Sequence, residues 1–276
     1  MTVSRRFSLE FFPPKTEAGA EKLMTTKDEL EKLNPDFCSL TYGAGGSTRD
    51  ATQGIAMAMK ASGTDIAPHL SFGGDGEDSV LALINSYKDA GINRIVALRG
   101  DLPSGMGGVR PVHANELVAF IRQHTGDYFN LEVAAYPEIH PEANSYSEDI
   151  GYLKQKLDAG ANSAITQYFY NIDAYFYFLD ACAKQGIDKP IYPGIMPITN
   201  FKNLARFSAN CGAEIPQWLA RRLSEYGDDI ESITSFSTDF VTELCDNLLA
   251  AGAPGIHFYT MNAVQPIKRI WHNLDI

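Results

Sequence analysis

The chain of 276 residues has little cysteine, two tryptophans and no long apolar run. Cys38, Cys182, Cys211 and Cys245 are scattered, with no C-x-x-C and no zinc-ligand spacing among them. A disulfide framework is therefore excluded as an organising element, and free thiols in a reducing cytoplasm are expected. The six histidines form no H-E-x-x-H, so no metal site is expected. No stretch approaches the roughly 18 apolar residues of a membrane span. The opening "MTVSRRFSLEFF" lacks the apolar core and cleavage site of a leader, and none is expected. Positive charge is short as well: 23 Lys and Arg face 34 Asp and Glu, a net charge of −11. That balance argues against general attraction to nucleic acid or to an anionic membrane.

What the chain does have is a recurring pattern. Apolar runs rich in β-branched and aromatic residues appear as "RFSLEFFPP", "FCSLTYGA", "IAPHLSF", "RIVALRGD", "LEVAAYPE", "SAITQYFY", "IYPGIMP" and "GIHFYTMN". The first seven begin 28 to 37 residues apart, the length of one strand, one helix and two loops. Amphipathic segments fill the intervals, among them "EDSVLALINSYKDAG", which opens with acids and closes on glycine as a helix should. The pattern predicts an α/β fold, a (β/α)8 TIM barrel, occupying residues 1–276 as a single catalytic domain. The seventh interval is about 64 residues long and predicts three helices instead of one. An open dinucleotide-binding sheet is the alternative, but "TYGAGGSTRD" lacks the G-x-G-x-x-G spacing.

In such a barrel the C-terminal ends of the strands converge on one mouth, where chemistry sits. Those ends carry Glu10, Thr41, Tyr42, His69, Arg99, Gly100, Asp101, Tyr136, Glu138, His140, Gln167, Tyr259, Thr260 and Asn262. Glu10 stands out because it lies between Leu9 and Phe11, where an acid is costly unless it is paired or functional. Its apolar flanks predict a raised pKa, which suits a proton donor. Duller readings stand beside these: Arg99 and Asp101 as a structural ion pair, His69 as a hydrogen-bonded core histidine, the aromatics of "YFYNIDAYFYF" as packing. From the residues alone, the site suits a large planar ligand with one proton-transfer group beside it. A glycosidase using Glu10 and Glu138, and a non-catalytic ligand-binding module, remain open at this point.

"SLEFFPPK", "SLTYGAGG", "APHL", "VALRGDLP", "AAYPEIHPEA", "DAGANSAITQYFY" and "HFYTMN", in that order, resemble the bacterial methylenetetrahydrofolate reductases over essentially the whole chain. The resemblance implies non-covalent FAD, NADH or NADPH as co-substrate and methylenetetrahydrofolate as acceptor, with hydride passing through the flavin in two half-reactions. It implies Glu10 as general acid, protonating the nitrogen that leaves as the cyclic folate opens. Asp101 is implied to bind the pterin edge and to lie near the flavin, so that it serves catalysis, cofactor and substrate. Thr41, Tyr42, His69, Arg99, Gly100 and Tyr136 match positions around the flavin, Thr41 also serving substrate. Ala114, His140, Ala143, Asp149, Tyr152, Gln155 and Lys156 match the stretches that hold the rest of FAD. Gln167, Phe207 and Met261 match substrate-side positions, which places Phe207 and the long seventh connection over the site. Ala263 stands where the family usually has arginine, a partner for the folate's glutamate tail, leaving Lys268 or Arg269 as substitutes, and Asn203 stands where glutamine is common. A flavin-free folate reductase is the nearest rival within this chemistry. A homo-oligomer is expected, as is the absence of a regulatory domain.

Overall fold

The computed structural model describes residues 5–14, 16–41, 49–72, 76–99 and 112–276. Tyr42, Gly100 and Asp101 lie outside these residues. The strands are β1 (Arg6–Phe11), β2 (Phe37–Leu40), β3 (Ile66–Leu70), β4 (Arg94–Ala97), β5 (Asn130–Ala135), β6 (Ser163–Thr166), β7 (Ile191–Tyr192), β8 (Gly194–Ile195) and β9 (Gly255–Tyr259). All pairings are parallel, in the order β7-β6-β5-β4-β3-β2-β1-β9-β8. β7 and β8 are one strand interrupted at Pro193, so the ring closes through residues 192–194.

The seventh of the eight expected strands is thus two short pieces. Proline has no N–H for the ladder and halts pairing where it stands. β7 pairs with β6, and β8 then crosses to β9. At the crossing, Gly194 donates its N–H to Thr166 Oγ1 at 2.9 Å. A Cβ on Gly194 would lie 2.1 Å from the Thr166 carbonyl oxygen and 2.7 Å from the Tyr259 ring, so only glycine fits.

The helices alternate with the strands: α1 (Glu17–Glu31), α2 (Arg49–Ala61), α3 (Glu77–Asp89), α4 (Ala114–Thr125), α5 (Tyr146–Asp158) and α6 (Ile172–Lys184). The long connection holds three, as expected: α7 (Phe201–Cys211), α8 (Gln217–Glu225) and α9 (Ile230–Ala250); α10 (Val264–Asn273) follows β9. Side-chain caps fix several starts, with Ser145, Asn171, Asn200 and Asp229 accepting from first-turn N–H groups. None of these helices is long and apolar enough to cross a membrane.

Strand alternation sorts the side chains into two regions. Outward-facing Leu9, Phe11, Leu40, Ile95, Leu131, Val133 and Phe258 join the helices in the main core. Inside the barrel, Phe37, Ala67, Val96, Ile165 and Tyr192 form a separate apolar layer. Below it Glu132, fully buried, takes Arg6 at 2.9 Å and Arg94 at 2.6 Å. Burial pushes the Glu132 carboxyl up, but the two guanidiniums outweigh it and hold the group below its ordinary range. The two cations also lie over aromatic faces, Arg6 at 3.5 Å from the Tyr192 centroid and Arg94 at 4.4 Å from that of Phe37. This charged plug seals the end of the barrel opposite the mouth.

Candidate active site

Three neighbouring strands build the centre of the mouth. Register places Glu10 of β1 opposite Ser39 of β2 on one side and Tyr259 of β9 on the other; Ser8, two residues earlier, lies opposite His257. Because the strand period is two, Ser8, Glu10, His257 and Tyr259 all face the interior. His257 Nε2 sits 3.1 Å from Glu10 Oε2, and its Nδ1 is 2.7 Å from Ser8 Oγ. His69, at the end of β3, brings Nε2 to 3.3 Å from the same carboxylate oxygen, and Ser39 Oγ donates to it at 3.5 Å. His257 is buried completely and Glu10 is 13% exposed, which leaves the acid a small window toward the mouth.

This cluster corrects the expectation that Glu10 has a raised pKa. Burial does push the carboxyl up, and it is the largest single influence. The combined charge and hydrogen bonds of His69 and His257 outweigh it and draw Glu10 down to about 2. Glu10 and the two imidazoles thus form one connected polar cluster. His257 and Ser8 escaped the sequence analysis, although the alternation in "SLE" and "HFY" puts each on the face of a polar neighbour already singled out.

The rim around this centre is aromatic and amide-bearing. Tyr259 donates its hydroxyl to the Thr166 carbonyl at 2.7 Å, and burial, with the nearby Glu10 charge, holds its phenol far above the ordinary range. Gln167 Oε1 accepts from the Tyr168 N–H at 3.0 Å. Thr41 donates its N–H to the Phe11 carbonyl, tying β2 to the end of β1. Asn262 bonds both polar backbone groups of Phe12, at 3.2 and 2.9 Å, and Thr260 Oγ1 donates to the Glu10 carbonyl. Asn262 and Thr260 thus brace the mouth. Met261 and Asn262 both adopt φ +51, a left-handed turn that reverses the chain into α10.

On the β4–β5 side a second group assembles. Tyr136 meets His140 edge to face at 4.6 Å between centroids, and the His140 N–H donates to Asp149 Oδ2 at 2.8 Å. Lys156, two turns along α5 from Asp149, donates Nζ to the Ala134 carbonyl at 2.5 Å. Burial pushes its ammonium down to about 8, against the pull of Asp149. Ala143 donates to the His140 carbonyl, and Arg99 forms a two-pronged pair with Glu142. Ala114 opens α4, whose N-cap is His113. Tyr152 and Gln155 lie on the exposed side of α5, with the Tyr152 hydroxyl on Glu148 at 2.7 Å.

The segment after β8 packs against the rim through tyrosines. Ser208 of α7 meets the Tyr168 hydroxyl at 3.0 Å, and Glu138 Oε2 accepts the Glu214 N–H at 2.7 Å. Burial pushes Glu138 up to about 7, only partly offset by that hydrogen bond, and the Glu214 charge adds to the rise. Phe207 is 38% exposed on α7 beside this contact.

A (β/α)8 frame with a caged carboxylate, two imidazoles, phenols and an amide at its C-terminal mouth has the form of a barrel enzyme with a candidate acid–base cluster. The methylenetetrahydrofolate reductase family model matches residues 2–275. The chain belongs to that family, and with it to the oxidoreductases. It is 39% identical over 270 residues to the 5,10-methylenetetrahydrofolate reductase of Escherichia coli strain K12, covering 98% of this chain and 90% of the relative. Identity is also 39% over 285 residues to methylenetetrahydrofolate reductase (NADH) 1 of Arabidopsis thaliana, where the match spans 98% of this chain and 48% of the plant protein. Among solved structures, a Clostridium thermocellum protein that binds two copies of 5-methyl-5,6,7,8-tetrahydrofolic acid shares the fold. Its TM-score is 0.67 at 20% identity, covering 98% of this chain and 94% of that one.

Proposed function

We propose that this chain reduces methylenetetrahydrofolate to methyltetrahydrofolate with NADH as the reductant and a non-covalent FAD as carrier. The observation that carries the reading is the Glu10–His257–His69 cluster: a carboxylate held between two imidazoles at the barrel mouth, in a member of this family.

The reaction adds a hydride to the one-carbon unit and a proton to the nitrogen that departs from it. The hydride comes from NADH; the proton needs a donor on the protein. Glu10 is the proposed relay to that nitrogen, taking a proton from the adjoining imidazole and passing it on as the carbon–nitrogen bond breaks. His257, 3.1 Å away, is the proposed source of that proton, and Ser8 fixes the imidazole's orientation through Nδ1. His69, 3.3 Å from the same oxygen, favours the carboxylate form to which Glu10 returns once the proton has passed on.

The β4–β5 rim suits FAD by its donor set. Arg99, His140 and Lys156 offer cationic or donor groups for a diphosphate, with Tyr136 as an aromatic wall. Ala114, Ala143, Asp149, Tyr152 and Gln155 extend that surface toward α4 and α5, and Thr41 and His69 border it from β2 and β3. Asp101, Gly100 and Tyr42 complete the proposed set from outside the described residues. When bound there, FAD supplies the two-electron relay between the two substrates. Gln167, Phe207 and Met261 form the substrate side, with Glu10 and Thr41.

The visible spectrum of the purified protein tests this directly. A flavin band should bleach on adding NADH under anaerobic conditions and return on adding methylenetetrahydrofolate. A colourless protein that still reduces the folate would remove FAD from the proposal; a flavin that ignores the folate would remove the reaction.

A further inference from the structure

The loop between β5 and α5 carries part of the proposed cofactor side of the mouth, and α7 carries Phe207 on the substrate side. Between them stands Glu138, which has no part in the proposed proton transfer. Its Oε2 accepts the Glu214 N–H at 2.7 Å, joining the β5–α5 loop to the segment between α7 and α8. Its Oε1 is buried and, among the described residues, has no hydrogen-bond partner. The next residue, Ile139, takes φ +71, a left-handed conformation that a β-branched side chain resists. Beside this contact α7 ends at Gly212, so close to the same loop that a Cβ would lie 2.8 Å from Pro141 Cγ.

We infer that Glu138 is a positioning residue that clamps the end of α7 to the cofactor-side rim and so fixes Phe207 over the substrate; this rests on the folate reading above. A glutamine in its place would accept the same N–H with no charge to bury. A carboxyl there makes the clamp depend on its proton. Once ionised, it holds a buried charge on a single donor and faces the Glu214 carboxylate. Burial, with that neighbouring charge, pushes Glu138 up to about 7 against the pull of the Glu214 N–H. The surrounding groups bring it no counter-charge. Burial holds the Tyr168 phenol well above its ordinary range, and Cys211 of α7 donates to that hydroxyl at 3.5 Å. On the loop itself, Glu142 is taken by Arg99, and His140 Nδ1 accepts the Glu142 N–H at 3.1 Å.

The test follows pH on the full-length, cofactor-loaded protein. In the unsubstituted chain, KM for methylenetetrahydrofolate should rise roughly fivefold from pH 6 to pH 8, as the clamped fraction falls to about a fifth. Glu138→Gln should keep KM near its pH 6 value up to pH 8, and Glu138→Ala, which offers no acceptor, should show the high value at both. Glu214→Gln removes the repelling charge but keeps the backbone N–H, so the midpoint of the rise should move to lower pH. Hydrogen exchange of the α7 amides reads the clamp without turnover. Protection should match between the unsubstituted chain and Glu138→Gln at pH 6, and be lower in the unsubstituted chain at pH 8. No rise in KM in the unsubstituted chain, the same rise in Glu138→Gln, or equal α7 protection at pH 8 overturns the assignment. An unsubstituted protein that reduces no folate overturns the folate reading instead, and the exchange comparison still tests the clamp.

Discussion

Glu10 Oε2 and His257 Nε2 stand 3.1 Å apart inside the barrel, joined by strand register and not by sequence proximity. β1 and β9 pair directly, so the first and last strands bring together residues 247 positions apart. The carboxylate gains an imidazole partner where the chain alone shows only apolar neighbours. The proposed proton transfer and the acid stability of this site both rest on that pairing.

Glu10→Gln should leave NADH oxidation by an artificial electron acceptor close to normal. Folate reduction should fall by about 10²–10⁴, the usual contribution of a general acid. Stopped-flow measurement of the two half-reactions separates the effects; loss of both would show that Glu10 does not act on the folate alone.

The same residue governs acid stability. Its folded pKa, about 2, lies below the ordinary 4.5, so its stabilisation is complete above pH 4.5 and disappears as pH falls through about 2. The group accounts for on the order of 3 kcal/mol across that window. Urea titrations from pH 5 to pH 2 should show a shallower decline in Glu10→Gln than in the unsubstituted chain.

Glu138 should act in the opposite sense. Its folded pKa, about 7, lies above the ordinary 4.5, so the folded state holds a proton that the unfolded state has released. Stability should decline as pH rises from 4.5 to 7, by about 1 kcal/mol after allowance for solvent screening. Glu138→Gln keeps an oxygen for the Glu214 N–H and should flatten that decline in thermal melts taken at pH 5.5 and pH 8.

Gly194→Ala should be severely destabilising, by about 3 kcal/mol or more, because the new methyl would meet the Thr166 backbone oxygen, which cannot swing away, as well as the Tyr259 ring. The Tyr259–Thr166 hydrogen bond should break with it. Chemical denaturation measures the loss; a cost under 1 kcal/mol would mean that the barrel seam is more yielding than its geometry indicates.

Glu132→Gln should cost roughly 3–5 kcal/mol, since it leaves Arg6 and Arg94 buried together without their shared carboxylate. Replacing all three by apolar residues of similar volume should cost far less, which equilibrium unfolding of the triple variant would reveal.

Much of the fold was legible because spacing in the chain is spacing in the barrel. The runs at Arg6, Phe37, Ile66, Arg94, Ser163 and Ile191 begin where β1, β2, β3, β4, β6 and β7 begin. The long seventh interval does hold three helices. The split of the seventh strand was less visible, because "YPG" signals an interruption without showing that the chain resumes in the same sheet. At the site, the polar strand ends pointed to one mouth, yet His257 was passed over inside an apolar run and Glu10 was assigned the wrong direction of pKa shift.

The sequence by itself determined the order of elements, their lengths and the level at which the polar residues collect, since these depend on local periodicity and on turn and cap chemistry. Only the tertiary structure decided what Glu10 faces and which cations are already held. Burial and charge act between neighbours in space, and barrel closure chooses those neighbours from opposite ends of the chain.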